Sequence, residues 1–347
     1  MRSNEMTLAA VKDYYGRVLE KSQDLKTNAC CTAESMPVAL RPIASMVPSE
    51  VMERFYGCGS PIPPALEGKT VVDLGCGSGR DSFMVSALVG ERGRVIGVDM
   101  TDEQLAVARR NAPVMAKTLG YQNTSFVKAY IEDLATAGLE DNSVDVVISN
   151  CVVNLSPDKG RVLSEIFRVL KPGGELYFSD VFSGRRVPRH LVDDATLYGE
   201  CLSGALYIED FRRLLRERSV LDWRTVNKRR ITINNAQLEQ TAGMIDFWSL
   251  TVRAFKLGLE DLCEDYGQVA TYLGTERNNP HQFVLDDHHL FEVGRPMLVC
   301  GNTADMVSKT RFAEHFKVQG EKTVHFGPFA CGPAPTTTAT TAGGACC

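Results

Sequence analysis

Thr70-Val-Val-Asp-Leu-Gly-Cys-Gly-Ser-Gly-Arg80 decides the fold. Val71, Val72 and Leu74 form the short apolar run expected of a parallel strand covered on both faces. Gly75, Gly77 and Gly79 follow as a turn that opens a helix and lets backbone approach a ligand closely, so the stretch reads as a cofactor cradle. The spacing is GxGxG. Arg80 stands where the dinucleotide fingerprint GxGxxG has its last glycine, so the pattern departs from the nicotinamide signature. A second acid, Asp99, ends the next apolar run, Arg94-Val-Ile-Gly-Val-Asp99, and a carboxylate there can accept from both hydroxyls of a ribose.

Outward from that turn, residues 69 to about 181 alternate strand and helix, the pattern of a doubly wound α/β fold. Strands are expected at Thr70–Leu74, Arg94–Asp99, Thr124–Lys128, Val144–Ser149 and Glu175–Asp180. Helices are expected at Asp81–Val89, Thr101–Leu119 and Pro157–Leu170, the last ended by the turn Lys171-Pro-Gly-Gly. Ligands in open α/β sheets bind off the carboxyl ends of strands. That rule gathers Tyr130-Ile131-Glu132-Asp133, Asn150-Cys151, Asp99 and Met100 beside Asp73 and the glycines.

The flanks carry weaker signals. A helix is expected over Met6–Leu25, followed by an exposed Cys30-Cys31 loop and a loop bearing Tyr56 and Cys58 that could fold over the cofactor. Residues 182–230 read as mixed and largely helical, 231–292 as short β-like runs around a helical pattern at Ile245–Leu257, and Met297–Phe316 as a closing strand and helix. The expected domains are therefore 1–68, helix and cysteine-bearing loops over the cofactor; 69–230, the binding domain; 231–330, a following α+β domain; and 331–347, a low-complexity, disordered tail that contains cysteines.

With 347 residues and a net charge of −5, the chain is large enough for several domains and lacks the basic face of a nucleic-acid binder. No window approaches the roughly 18 uninterrupted apolar residues of a membrane span, and the N-terminus shows no signal-peptide core. A cytoplasmic protein is expected, with a monomer as the simplest state. The 11 cysteines are an odd number in a long chain without an export signal, which favours reduced thiols for binding or redox chemistry over a disulfide framework.

The glycine turn with its two acids resembles the class I S-adenosylmethionine-dependent methyltransferases. Tyr56-Gly-Cys58-Gly, Asp73-Leu-Gly-Cys-Gly-Ser-Gly-Arg-Asp81, Gly97-Val-Asp-Met-Thr101, Tyr130-Ile-Glu132, Ser149-Asn-Cys-Val-Val-Asn-Leu155, Gly173-Gly-Glu-Leu-Tyr-Phe-Ser-Asp180 and Gly199-Glu-Cys-Leu-Ser-Gly-Ala-Leu206 make the resemblance closer. Together they resemble the arsenite methyltransferases, from the first helix to about residue 330. The resemblance implies an arsenic-transforming, detoxifying enzyme that binds S-adenosylmethionine through Tyr56, Asp73, Gly75, Gly77, Gly79, Asp99, Met100, Ile131, Glu132 and Asn150. It further implies that Cys58, Cys151 and Cys201 bind trivalent arsenic and that Cys30 is the additional thiol of a disulfide cascade, with Cys31 an alternative to it and Cys76 outside the site. Arsenite and methylated arsenicals would be its substrates, and glutathione or thioredoxin its reductant.

The chemistry asks for such groups. Trivalent arsenic is soft, so thiolates suit it, and three of them leave its lone pair projecting as a nucleophile. Methyl transfer from a sulfonium then needs positioning and desolvation more than a proton shuttle. Each transfer oxidises arsenic, and a cysteine pair closing to a disulfide can return the electrons, Cys30 or Cys31 with Cys58 being the expected pair. Two other readings fit parts of the pattern: a methyltransferase for a carbon, oxygen or nitrogen nucleophile with incidental cysteines, and a thiol protein that only sequesters arsenite or zinc.

Overall fold

Val71-Val-Asp-Leu74 lies in β1 (Thr70–Leu74), a central strand of a sheet that reads β3-β2-β1-β4-β5-β8-β7 among the described residues, with β6 paired to β5. These coordinates are a computed structural model describing residues 4–15, 36–192, 197–198, 201–233 and 235–330. The other strands are β2 (Arg94–Asp99), β3 (Thr124–Lys128), β4 (Val144–Asn150), β5 (Leu170–Ser183), β6 (Leu206–Tyr207), β7 (Trp223–Ile231) and β8 (Phe247–Phe255). The first five run parallel, and β8 and then β7 join antiparallel beside β5.

Alternation along the strands feeds two cores. Val72, Leu74, Ile96 and Val98 face the helices Lys159–Val169 and Ile208–Arg216, through residues such as Ile166 and Phe211. Val71, Val95, Val146 and Ile148 face Arg80–Val89 and Asp102–Leu119, through residues such as Phe83 and Met115. The result is the three-layer, doubly wound architecture of class I methyltransferases. A third core, built on Tyr272, Phe283, Phe291, Phe312 and Phe316, belongs to the C-terminal unit. There Gln268–Tyr272 pairs with both Pro296–Val299 and Phe316–Gln319, beside the helix Gly301–Ser308.

Three expectations are corrected. Ile245–Leu257 contains a strand, Phe247–Phe255, and no helix. Leu250, Val252 and Ala254 enter the core on one face and alternate with Ser249, Thr251 and Arg253 on the other, the period-2 signature of a strand; the helical reading misses that alternation. Residues 182–230, read as largely helical, contain most of β7 as well as the helix Ile208–Arg216. The helix before Lys171-Pro-Gly-Gly ends as expected, at Val169, but that stretch is not a separate turn: β5 begins at Leu170, and Gly173, at φ +77°, lies within it. The main sheet thus extends past residue 230, to Phe255. The first helix spans Asn4–Asp13, while Cys30, Cys31, Glu200, Cys331, Cys346 and Cys347 lie outside the described residues. Among the described residues no helix is long and apolar enough to cross a membrane.

Candidate functional site

The turn after β1 is fastened to β2 by main chain. Gly75 and Cys76 donate their N–H groups to the Val98 carbonyl at 2.8 and 3.0 Å. Asp99 then accepts from Gly77 N at 2.9 Å through one oxygen and from Thr101 N at 2.8 Å through the other. Its burial pushes its pKa up, while those backbone donors act in the opposite direction. Each oxygen keeps a lone pair for a ligand diol.

A cavity opens against this turn, and Asp73, Gly75, Gly77, Asp99 and Met100 line it. Tyr56, Ile131, Glu132 and Asn150 reach the same cavity from the other expected segments, whereas Gly79 caps the helix Arg80–Val89 behind it. Asp73 is buried and accepts from the Ser82 hydroxyl at 2.6 Å. Burial, with the neighbouring charge of Asp81, pushes its pKa up to about 7. Cys76 also lines the cavity, but burial and then the charges of Asp99 and Asp73 push its thiol far up, which removes its thiolate character.

The first helix covers the opening. Leu8, Val11 and Tyr15 line the cavity, Gln104 Nε2 donates to the Tyr15 carbonyl at 2.9 Å, and the Tyr15 and Tyr56 rings meet edge-on at 5.7 Å.

Asn150, at the end of β4, joins this cavity to a thiol cluster. Its Nδ2 donates to Asp81 at 2.8 Å and its Oδ1 accepts the Cys58 N–H at 3.0 Å. Cys58, Cys151 and Cys201 are all buried in one apolar cluster against which Met100 packs. Cys151 and Cys201 have positive φ, 57° and 62°, a conformation that is uncommon for non-glycine residues and often marks a functional constraint. The Cys201 thiol donates to the Cys151 carbonyl at 3.4 Å. Cys58 and Cys151 are joined as a disulfide, with their Cα atoms 5.9 Å apart. The bridge thus differs from the expected pairing of Cys58 with Cys30 or Cys31, both outside the described residues, because Asn150 and Ser249 bring the Cys58 main chain to the end of β4. Of the three cysteines, Cys151 lines the cavity.

Four cluster and cavity groups escaped the reading of the sequence. Asp180, at the end of the strand motif ending Tyr-Phe-Ser-Asp, lies with the Cys58 and Cys151 sulfurs so that the ligand atoms are within 4.8 Å of one another. Asn154 holds it with two N–H groups at 3.1 and 2.7 Å, and burial pushes its pKa up to about 7. Lys159 is pulled down to about 8 by burial, with Asp180, Cys201 and Glu132 opposing the shift. Arg80 and Asp81 are the other two: both line the cavity, and the Arg80 guanidinium lies 3.6 Å over the Phe55 ring. The strand-edge rule that selected Asp99 also reaches Asp180; nothing in the sequence separates Lys159 from a solvated lysine.

Comparison with known proteins adds to this geometry. Residues 65–219 match a methyltransferase domain family, and residues 266–342 match the arsenite methyltransferase C-terminal domain. The chain is 52% identical over 343 residues to an arsenite methyltransferase of Aquipseudomonas alcaligenes, covering 97% of this chain and 99% of that one. It is 41% identical over 320 residues to the human arsenite methyltransferase, covering 90% and 84%. Among solved structures, an arsenic(III) S-adenosylmethionine methyltransferase from Chlamydomonas reinhardtii is similar with a TM-score of 0.82 and 51% identity, covering 85% of this chain and 99% of that one.

Proposed function

The chain belongs to the arsenite methyltransferase family, and from that premise we propose that Cys58, Cys151 and Cys201 hold trivalent arsenic beside S-adenosylmethionine bound at the glycine turn. It is an S-adenosylmethionine-dependent enzyme that methylates trivalent arsenic. One observation carries the residue-level reading: Cys151 belongs to the thiol cluster and also lines the cavity that meets Asp99 and the glycines.

The cavity suits the methyl donor. Asp99 keeps acceptor capacity for a ribose diol, and a Cβ built on Gly77 would meet nothing within 4 Å, which leaves room for close approach. Arg80 Nε and Asp81 Oδ1 are buried 3.6 Å apart, an ion pair in which neither atom has a hydrogen bond, and an amino-acid group, with its carboxylate and ammonium, gives each of them one. Asp73, beside Asp81, adds a second carboxylate for the ammonium. When bound, the sulfonium supplies an electrophilic methyl group for the arsenic lone pair.

The thiols do the rest. Each As–S bond forms as an As–O bond breaks, and the thiol proton leaves with the hydroxyl as water. The Cys58–Cys151 bridge must open first, taking two electrons and two protons from the thiols of glutathione or thioredoxin, which become a disulfide. Methylation oxidises arsenic to the pentavalent state, and two cysteine thiolates return the electron pair as their sulfurs join. Cys58 is the shared member, bridged to Cys151 here and paired with Cys30 or Cys31 in the reading from sequence. Tyr15, Val11 and Leu8 close the cavity against water, favouring a desolvated transfer. One chain supplies all these groups, so a monomer suffices.

The test is the arsenic product formed by the full chain with arsenite, S-adenosylmethionine and glutathione. The parent should yield methylated arsenic. Cys151→Ser and Cys201→Ser should lose it while still binding S-adenosylmethionine. Undiminished methylation by both variants would overturn the three-thiol assignment and leave the enzyme's class intact.

A further inference from the structure

Outside the site described above, Cys263 and Cys300 meet in the C-terminal unit. Cys300 is buried and caps the helix Gly301–Ser308: its sulfur accepts the Thr303 N–H at 3.4 Å and lies 3.3 Å from the Thr303 hydroxyl. Arg224, from β7, places Nη2 3.8 Å from the same sulfur. Cys263 is half-buried on the loop before Glu264–Asp265 and hydrogen-bonds Cys300.

Asn302 fastens that loop to the helix start. Its Nδ2 donates to the Glu260 carbonyl at 2.7 Å, and its Oδ1 accepts the Glu260 N–H at 2.9 Å. Arg224 is fixed in turn by Asp222 at 2.7 Å and Asp286 at 3.3 Å, and His289 Nδ1 lies 2.7 Å from Asp286. The thiol of a half-buried residue thus hydrogen-bonds a buried one that a cation and a helix N-terminus both face.

We propose that Cys263 and Cys300 form a second redox couple, a dithiol that closes and reopens by exchange with glutathione-type low-molecular-weight thiols and disulfides. The proposal uses no arsenic and none of the three cysteines of the arsenic site, so its failure leaves the preceding reading untouched.

The exposure gradient sets the direction of attack. In closing, Cys263 sulfur attacks the small disulfide as Cys300 takes its proton, and one small thiolate leaves. Cys300 then passes that proton to the departed thiolate and attacks the Cys263 sulfur, expelling the second. The net change is a protein thiol, a protein thiolate and one small disulfide becoming a protein disulfide, one small thiol and one small thiolate. In reopening, a small thiolate attacks the accessible Cys263 sulfur and Cys300 leaves. Leaving is fast when the departing thiol has a low pKa. The hydrogen bond from Cys263, the Thr303 donors and the Arg224 charge together overcome burial and hold Cys300 down at about 5. Stabilising the reduced form in this way makes a disulfide easy to reduce, unlike a structural bridge.

The test equilibrates the full chain across a series of reduced-to-oxidised glutathione ratios, traps thiols by alkylation in acid and maps peptides by mass spectrometry. A Cys263–Cys300 peptide should form under oxidising ratios and disappear in millimolar reduced glutathione. Arg224→Gln should make the bridge about tenfold harder to reduce in glutathione ratio, because the thiolate loses its cation. Thr303→Val, a milder change, should shift it the same way by less. The proposal is overturned if both cysteines remain alkylatable at the most oxidising ratio, or if their bridge persists in reduced glutathione.

Discussion

The side chain of Asn150 holds the main chain of Cys58: its Oδ1 accepts the Cys58 N–H at 3.0 Å while its Nδ2 donates to Asp81 at 2.8 Å. A single amide therefore ties the loop carrying a thiol to an acid that lines the cavity. Both contacts depend on an amide, since a carboxylate would lose the donor and face Asp81 with like charge.

Asn150→Ala should leave the Cys58 and Gly59 N–H groups and the Asp81 oxygen without this partner, costing roughly 1–3 kcal/mol in stability. Both S-adenosylmethionine affinity and methylation rate should fall. Calorimetric titration with S-adenosylmethionine, beside a urea melt, checks this; an unchanged dissociation constant and rate would remove Asn150 from the site.

Asp99→Asn keeps shape and removes charge. One of the two oxygens that accept Gly77 N and Thr101 N becomes an amide donor, so the turn loses an acceptor as well as its grip on a diol. Hydrogen bonds to charged groups are worth about 1.5–3 kcal/mol, which predicts an affinity loss of roughly ten- to a hundredfold. Titration with S-adenosylhomocysteine, in the absence of arsenic, isolates this effect from the thiols.

Asp73 gives a pH signature. Its folded pKa, about 7, lies above the ordinary 3.8, so the folded state favours the protonated carboxyl. That contribution to stability is fully present below pH 3.8 and is lost as pH rises through about 7. Asp73→Asn should flatten the decline between those limits in urea melts. A bound ammonium favours the ionised form, so binding of S-adenosylmethionine below pH 7 should also release a proton, seen as a buffer-dependent heat. A parent heat independent of buffer at pH 6 would contradict this assignment.

Glu175 on β5 lies between two buried guanidinium groups, with Arg253 Nε at 2.7 Å and Arg311 Nη2 at 2.5 Å. Arg311 also donates to the Pro64 carbonyl, so the cluster joins the main sheet to the segment before β1 and to the C-terminal unit. Glu175→Gln leaves two buried cations unbalanced and should cost about 3–5 kcal/mol. A urea midpoint equal to the parent's would show that the cluster is not the clamp its burial suggests.

The sequence made β1, β2 and β3 legible to the residue: β1 and β2 are short apolar runs followed by helical periodicity, and β3 is the short β-prone stretch that follows the helix Asp102–Leu119. The strand-edge rule then selected ten residues that line the cavity, Asp99 and Asn150 among them. Expectation failed at Phe247–Phe255, where the alternation of Leu250, Val252 and Ala254 with Ser249, Thr251 and Arg253 signals a strand in place of a helix, and at the pairing of Cys58 with Cys151, which lie 93 residues apart. That proximity is made by Asn150 and by strand order, neither of which local pattern reports. The positive φ of Cys151 and Cys201 is likewise a product of tertiary context, with no glycine to announce it.

Gly75 and Gly77 separate folding from binding within a single turn. A Cβ on Gly75 would lie 2.3 Å from the Val152 side chain, and φ is +66°. Gly75→Ala thus combines a collision in a packed core with backbone strain of about 1–2 kcal/mol, and should lower the melting temperature clearly. A Cβ on Gly77 would meet no atom within 4 Å, so at φ +52° it incurs the backbone strain alone. That open space lies on the cavity side of a turn whose N–H is already held by Asp99. Gly77→Ala should therefore melt closer to the parent yet bind S-adenosylmethionine more weakly. If it binds as the parent does, the space beside Gly77 is not where the donor approaches; if it melts below Gly75→Ala, the turn is held by contacts other than that with Val152.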